Sequence, residues 1–477
     1  MEDFYSRHGV AHPVEQLKIN ESALAAKYGW HEAPYFPPAE GFYLSNYILD
    51  GCVAADLLSD YGYFRSSAKQ LSSFRRSQLP SGMVPGVSHP PQNFTWNPER
   101  WLSTLPFHGN DYTQSPVWAY SVLKLYEAAS DRVPADKTEA IDPDLFTEDI
   151  YPRLSRYYGD YFIKHRQVAS NDPRVFIIHP HEANRDSGPE YDEWKREELE
   201  KQLGKVAVFF QRQPRTSEHM SWWFNKRNRF VDYAGALAIN LAGYKAGWEP
   251  VRIHQTTEFV DVWFNCLLYE NYAAMSELAT RLGKDEDAAM FGSLSADLET
   301  AIKAKHYFAQ ARGGKGAFYS TYNGQPQYRD TIGNLASSLL RNLEERPLQS
   351  NVSLMDEAFN PPFPLPSVAM DDIANWDPYY EEEDRHWRTP TWPVANRLVR
   401  RAMIHHSGRI DAISADLRLA SREWADRLHL SNLGMVAVTG GYAEHHNPIT
   451  GMGQRMHKTR GHVFGIPDPD PSELLVA

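Results

Sequence analysis

Apolar positions recur at three- and four-residue spacing along most of the chain. Leu145, Phe146, Ile150, Tyr151, Leu154, Tyr157, Tyr158, Tyr161 and Phe162 form one such face, and Phe259, Val262, Trp263, Cys266 and Leu267 another. The spacing returns in Tyr233, Leu237, Leu241 and Tyr244, in Phe291, Leu294, Leu298 and Ile302, and in Ile413, Leu417, Ala420, Trp424 and Leu428. This period puts each set on one side of an α-helix. Gly247 and Gly283 end two of the helices, and Asp285-Glu286-Asp287 starts the next, as acidic first turns do. Strand signals are few. Residues 316–322, followed by Asn323-Gly324, predict a short hairpin arm. The apolar runs 175–178 and 206–210 fit strand or helix equally.

The predicted helices come in pairs with no repeated sequence. Between pairs lie loops bearing Trp, Tyr, His, Asp and Pro, such as residues 81–86, 111–116 and 376–393. Helical hairpins closed into a ring, with functional loops at one end, satisfy this pattern. The expected fold class is all-α: a helical barrel with long loops forming the active end and a few short strands. No Gly-, Pro- or Ser-rich linker divides the chain, so residues 1–477 read as a single catalytic domain. Residues 351–386 are the longest expected irregular stretch, with five prolines and the acidic run Glu381-Glu382-Glu383-Asp384. A loop of that length in a compact domain is usually a lid or a site wall.

The formal net charge of −12 leaves no basic stripe for nucleic acid or an anionic membrane. Cys52 and Cys266 have apolar neighbours and read as buried thiols rather than a disulfide. The N-terminus lacks an apolar signal core, and no run of about eighteen apolar residues occurs. A cytoplasmic location is therefore expected. Homo-oligomerisation is left open. The 13 Trp, 26 Tyr and 22 Phe fall largely in loops. Flat rings beside polar groups suit a sugar, although large helical cores also use many aromatics.

Two loops concentrate carboxylates. Residues 179–192 hold Glu182, Asp186, Glu190 and Asp192 among prolines, Gly and Asn; residues 441–453 hold Glu444 beside His445 and His446. A glycoside hydrolase needs one carboxylic acid to protonate the leaving oxygen and one carboxylate to activate water. The pattern alone also allows plainer roles. Asp186 suits a helix cap or an Asx turn, Glu182 and Asp192 suit hydrogen-bond organisers, and Glu444 suits a solvated loop. Adjacent His residues rarely point the same way and no third ligand is near, so no metal is expected, and no cofactor. Trp387 and Trp392 suit sugar platforms or core. Tyr43, Tyr47 and Asp50 share a helical face by spacing, which walls a sugar subsite or merely buries Asp50. Gln114 faces a cavity or makes a turn. Arg227 and Arg229 follow Trp222-Trp223-Phe224, where a guanidinium grips a carboxylate or simply lies on the surface.

In their order, the motifs resemble glycoside hydrolase family 63, in particular its small hydrolases of mannosylglycerate and glucosylglycerate. The family's Glu-Ser-Gly-x-Asp-Asn-Ser-Pro-x-x-Asp loop corresponds to residues 182–192 here, and its Tyr-Trp-x-Gly-Pro-x-Trp-Pro-x-x-Asn loop to residues 386–396. Its Glu-x-x-x-Pro-x-Thr-Gly loop corresponds to residues 444–451, and Gln-x-Pro-x-Gly-x-x-Pro to 78–85. The resemblance covers roughly residues 40–453. It implies an (α/α)6 barrel with Asp186 as general acid and Glu444 as general base. The sequence departs from the pattern at His181, where the family has Trp, at His386 for Tyr, at Thr389 for Gly, and at Ser115 in a Gln-Pro-Pro segment. Tyr47 stands in place of an early sugar-site Trp.

The implied activity is an inverting α-glycosidase acting on a small α-glucoside or α-mannoside, resembling glucosylglycerate or mannosylglycerate, with that carbohydrate as its only expected partner. A trehalase-like disaccharidase is the near alternative. A sugar isomerase or epimerase on a helical barrel, using clustered His residues, is a different class, as is a sugar-binding protein that has lost catalysis.

Overall fold

The computed structural model describes residues 2–40, 45–88, 112–185, 187–204, 227–372, 375–377, 387–454 and 461–469. Its longer helices are α1 (Glu2–Arg7), α2 (Pro13–Tyr28), α3 (Ile48–Asp60), α4 (Phe64–Ser73), α5 (Trp118–Asp131), α6 (Pro143–Ser155), α7 (Asp192–Leu203), α8 (Arg227–Lys245), α9 (Val262–Arg281) and α10 (Asp285–His306). They are followed by α11 (Ile332–Leu335, prolonged by the 3-10 turn Ala336–Leu339), α12 (Glu345–Ala358), α13 (Pro393–Ser407) and α14 (Ala415–Thr439). The fold is the expected (α/α)6 barrel. Around the inner layer, α3 packs on α5, α5 on α9, α9 on α11 and its 3-10 turn, and that turn on α13. The 3-10 turn Val463–Gly465 touches both α13 and α3 and closes the circle. Outside lie α4 against α3 and α5, α6 against α5, α10 against α9, and α14 against α13.

The two layers differ in residue pattern for a physical reason. An inner helix is covered on every side, so apolar and small residues fill all its faces. In α3 every residue but Asp56 is buried. An outer helix buries one stripe: in α10 these are Phe291, Ser295, Leu298, Glu299, Ile302 and His306. Inner helices still need partners for their first N–H groups. The Tyr158 hydroxyl accepts from Trp118 N and Ala119 N at the start of α5 and donates to Asn271 Oδ1, 3.0 Å away on α9. Tyr158 lies in a π-helical stretch, Arg156–Phe162, that continues α6.

The periodic stretches lie in α6 and its continuation, α8, α9, α10 and α14. Not every position falls on a buried helical face: Phe259 is in a strand ahead of α9, Ile413 precedes α14, and Leu145, Leu237 and Tyr244 are exposed. Asn323-Gly324 turns Thr321–Tyr322 onto Gln325–Pro326, and Phe259–Val260 pairs on the other side. Val175 ends the strand Asp172–Val175, which pairs with Gln167–Ala169. The 206–210 run and the acidic run 381–384 lie outside the described residues. One expectation is corrected: residues 351–358 are not irregular but complete α12, and the loop begins after Ala358. The prolines that suggested a loop at that point, Pro361, Pro362, Pro364 and Pro366, all follow the helix end. Cys52 and Cys266 are buried free thiols. Among the described residues no helix is long and apolar enough to cross a membrane.

Candidate active site

The loop ahead of α7 is fixed from both sides by buried charge. His179 Nδ1 accepts from His181 N at the 3-10 turn Pro180–Ala183, and Asn184 follows with a left-handed φ of 57°. Glu182 is fully enclosed, with Arg166 donating to both oxygens at 2.8 and 2.6 Å and Thr113 N and Ile178 N completing its shell. A carboxylate so saturated organises the loop. Arg185 is only 2% exposed. It donates to Glu190, to Asp261 Oδ2 at 2.9 Å, to the Tyr191 hydroxyl at 3.2 Å and to Thr331 Oγ1 at 3.5 Å. Burial works against its charge, but Glu190, Tyr191 and Asp261 outweigh it and hold the guanidinium protonated. Burial also lifts the Glu190 carboxyl above its ordinary value, against the pull of Arg185. Asp261 does double duty, since its other oxygen accepts from Phe264 N and caps α9. Asp186, between Arg185 and Ser187, lies outside the described residues.

The second carboxylate loop is joined to the aromatic loop by backbone. Thr391 and His446 exchange two N–H···O bonds of 2.9 Å. This sets Glu444, 5% exposed, two residues from the pairing, while the ring centre of its neighbour His445 lies 4.8 Å from that of Trp392. Trp387 and Trp392 stack face to face at 3.8 Å and are 4% and 1% exposed. Each spends one face on the other, so contact with a sugar is left to the remaining face or the ring edges. His445 and His446 diverge. His445 Nδ1 lies 2.9 Å from Gln454 Oε1, whereas His446 Nδ1 donates to Gly451 O at 3.0 Å. Burial pushes His446 down to about 4, so it stays neutral at ordinary pH.

The third wall is the start of α3. The predicted common helical face of Tyr43, Tyr47 and Asp50 does not form. Asn46–Tyr47 is extended and pairs with Val87–Ser88, and Tyr47 is the residue before the helix. The small sheet claims the backbone that a longer helix would need. Tyr47 is half-buried and Asp50 sits in the first helical turn. Burial pushes the Asp50 carboxyl up to about 7, and His462 Nε2 lies 3.6 Å from it. Gln114 is 7% exposed, and its carbonyl accepts from Leu49 N at 3.4 Å, filling an open donor at the start of α3. Tyr43 lies outside the described residues; Arg227 begins α8, and its side chain is likewise outside the description.

These loops form one closed circuit. Leu49 meets Gln114, and the next residue, Ser115, donates to Asn184 Oδ1 at 3.1 Å. Arg185 reaches Asp261 and Thr331. Ile332 N bonds Ser367 O, Ser367 N bonds Pro390 O, and Thr391 bonds His446. Gly461 N and His462 N bond Tyr442 O, and His462 returns to Asp50. Inner helices α3, α5, α9, α11 and α13 all start from this circuit. The residues that sequence reasoning passed over, Arg185, Asp261, Thr331, Arg388 and His462, are those that carry the long-range ties. Only the position of Arg185 beside Asp186, and of Arg388 beside Trp387, marked them in the sequence.

A family model for the mannosylglycerate hydrolase MGH1-like glycoside hydrolase domain matches residues 65–464. In fold the chain is similar to the GH63 mannosylglycerate hydrolase from Thermus thermophilus. With the complex containing Tris and D-glycerate the TM-score is 0.69 at 20% identity, over 95% of this chain and 97% of that one. With the glucose complex the values are the same, 0.69 at 20% over 95% and 97%. Neutral trehalase Nth1 from Saccharomyces cerevisiae gives a TM-score of 0.54 at 11% identity, over 91% of this chain and 72% of that one. No curated protein sequence matches the chain.

Proposed function

The chain belongs to the MGH1-like glycoside hydrolase family and is a glycoside hydrolase; from this we propose that it cleaves a small α-glucoside or α-mannoside with a glycerate-like aglycone, inverting the anomeric centre. Asp186 gives its proton to the glycosidic oxygen as the bond from C1 to that oxygen breaks. Water attacks C1 from the opposite face, and Glu444 takes the proton it releases. Products are the free β-sugar and the protonated aglycone hydroxyl. Leaving room for the water requires the two carboxyls to stand about 6.5–9.5 Å apart.

The observation that carries this reading is the closed loop circuit, which runs through Arg185 on one side and through Tyr442 and His446 on the other. The neighbours of both proposed carboxylates thus belong to one mouth of the barrel. Sugar binding falls to Tyr43, Tyr47, Asp50, Gln114, Trp387 and Trp392. Asp50, with a carboxyl near neutrality at about 7, offers a sugar hydroxyl a donor or an acceptor. Arg227 is assigned to the carboxylate of the aglycone, by bidentate pairing. The mannosylglycerate hydrolase structures with glucose and with D-glycerate favour these two ligand classes. The trehalase likeness makes trehalose the competing substrate. An isomerase or epimerase is left without support by the family.

The experiment is a panel of glucosylglycerate, mannosylglycerate, trehalose and kojibiose, followed by anomer-resolved proton NMR. We expect fastest turnover on a glycerate glycoside and the β-anomer first. Turnover of trehalose alone would move the substrate to the disaccharide class. First appearance of the α-anomer would remove the inverting route.

A further inference from the structure

Between Trp387 and Thr389 stands a guanidinium that none of the proposed chemistry uses. Arg388 is 3% exposed. It grips Asp192 with both terminal nitrogens, Nη1 to Oδ2 at 3.1 Å and Nη2 to Oδ1 at 2.5 Å. Nη1 also donates to Asn375 Oδ1 at 2.6 Å. Asp192 is the first residue of α7 and ends the loop that begins at Glu182. Trp387 has a left-handed φ of 54°. That turn lets neighbouring side chains part company, with Trp387 lying on Trp392 and Arg388 crossing to Asp192.

We propose that Arg388 is a positioning residue for the acid loop, acting through Asp192 and locking that loop to the tryptophan wall. The loop is then pinned at three places by buried guanidinium groups, at Glu182 by Arg166, at Arg185 through Asp261 and at Asp192 through Arg388. The last two pins flank Asp186. The bidentate fork fixes distance and angle together, which a lysine ammonium does not. The proposal rests on Asp186 being the general acid. Its consequence is selective: loosening Arg388 misplaces the proton donor and leaves attack by water intact.

The test compares an α-glycoside with the α-glycosyl fluoride of the same sugar, because fluoride leaves without being protonated. Arg388→Ala and Arg388→Lys are measured beside Asp186→Asn, with thermal unfolding recorded for each. For the glycoside we expect kcat to fall about ten- to a hundredfold in Arg388→Ala, the scale of a small misplacement, and less in Arg388→Lys, at little change in KM. Fluoride hydrolysis should stay within about threefold of the parent enzyme in both, on the same argument that positioning alone is lost. Equal losses on both substrates, or no loss on either, overturn the proposal. Arg388→Lys decides the matter if the alanine variant does not fold. Asp186→Asn separates the two layers of argument. If it loses the glycoside and keeps the fluoride, the acid assignment stands whatever Arg388 does. If it keeps both, that assignment fails first.

Discussion

Arg185 donates to Asp261 across 2.9 Å, joining the residue before the proposed acid to the cap of inner helix α9. The ion pair is almost wholly enclosed, with side chains 2% and 0% exposed. Such a pair adds little to net stability over a well-packed apolar substitute, but breaking it strands a charge. Arg185→Ala leaves Glu190 and Asp261 buried without their cation. We expect a loss of about 3–5 kcal/mol in urea unfolding, the usual scale for a broken buried pair, with turnover falling as well. An unchanged unfolding midpoint would show that the pair does not hold the loop.

Gly333 makes room for that guanidinium. A Cβ at this position would lie 2.2 Å from Arg185 Nη1 and 2.4 Å from Cζ. The arginine has little freedom to retreat, because Glu190, Asp261 and Tyr191 hold its far end. Gly333→Ala should therefore cost about 1–3 kcal/mol, as overpacking does, and should lower kcat more than it raises KM. Differential scanning calorimetry with steady-state kinetics checks both. A variant as stable and active as the parent contradicts the close fit.

The pattern of apolar residues was enough to predict α6, α8, α9, α10 and α14, but not the remaining helices or the ties between loops. The spacing from Val262 to Leu267 led directly to α9, although Phe259, counted on the same face, lies in a strand, and Asn323-Gly324 led to a true hairpin. Both signals are local, carried by residues within a few positions of each other. Tyr47 was misread because its partner, Val87, is distant in sequence and competes for the same backbone. The loop boundary near residue 351 was misplaced because α12 runs on to Ala358, just before the prolines begin. Of the site, the two carboxylate loops and the aromatic loop were legible from motifs. Arg185 with Asp261, and Arg388 with Asp192, were not, since a salt bridge between distant positions leaves no local pattern.

Asp50 gives a pH signature. Its carboxyl is raised by burial to about 7 in the folded chain, with His462 as its near neighbour, whereas the unfolded chain titrates at the ordinary aspartate value. The folded state thus holds a proton that the unfolded state has already lost. The stabilisation is full below about pH 4 and is lost as pH rises to about 7, after which this group adds no further change. Asp50→Asn removes the titration. Relative to the parent, the variant should gain stability progressively between about pH 4 and about pH 7. Unfolding curves at several pH values test this, and a pH-independent difference between the two proteins would contradict it.

Replacing either proposed catalytic carboxyl should separate activity from folding. Asp186→Asn and Glu444→Gln are each expected to lower turnover of the α-glycoside at least about a hundredfold, the usual scale for losing acid–base catalysis. Circular dichroism and thermal unfolding should remain close to the parent. Near-normal turnover in one variant would remove that residue from the mechanism.

The most direct measurement is the separation of the Asp186 and Glu444 carboxyl groups in a crystal of the enzyme with its sugar bound. Two carboxyls facing each other across the anomeric carbon, about 6.5–9.5 Å apart with a water beside Glu444, are what inversion predicts. A gap of about 5 Å points to a covalent route instead, and a carboxyl turned away from the sugar contradicts the account outright.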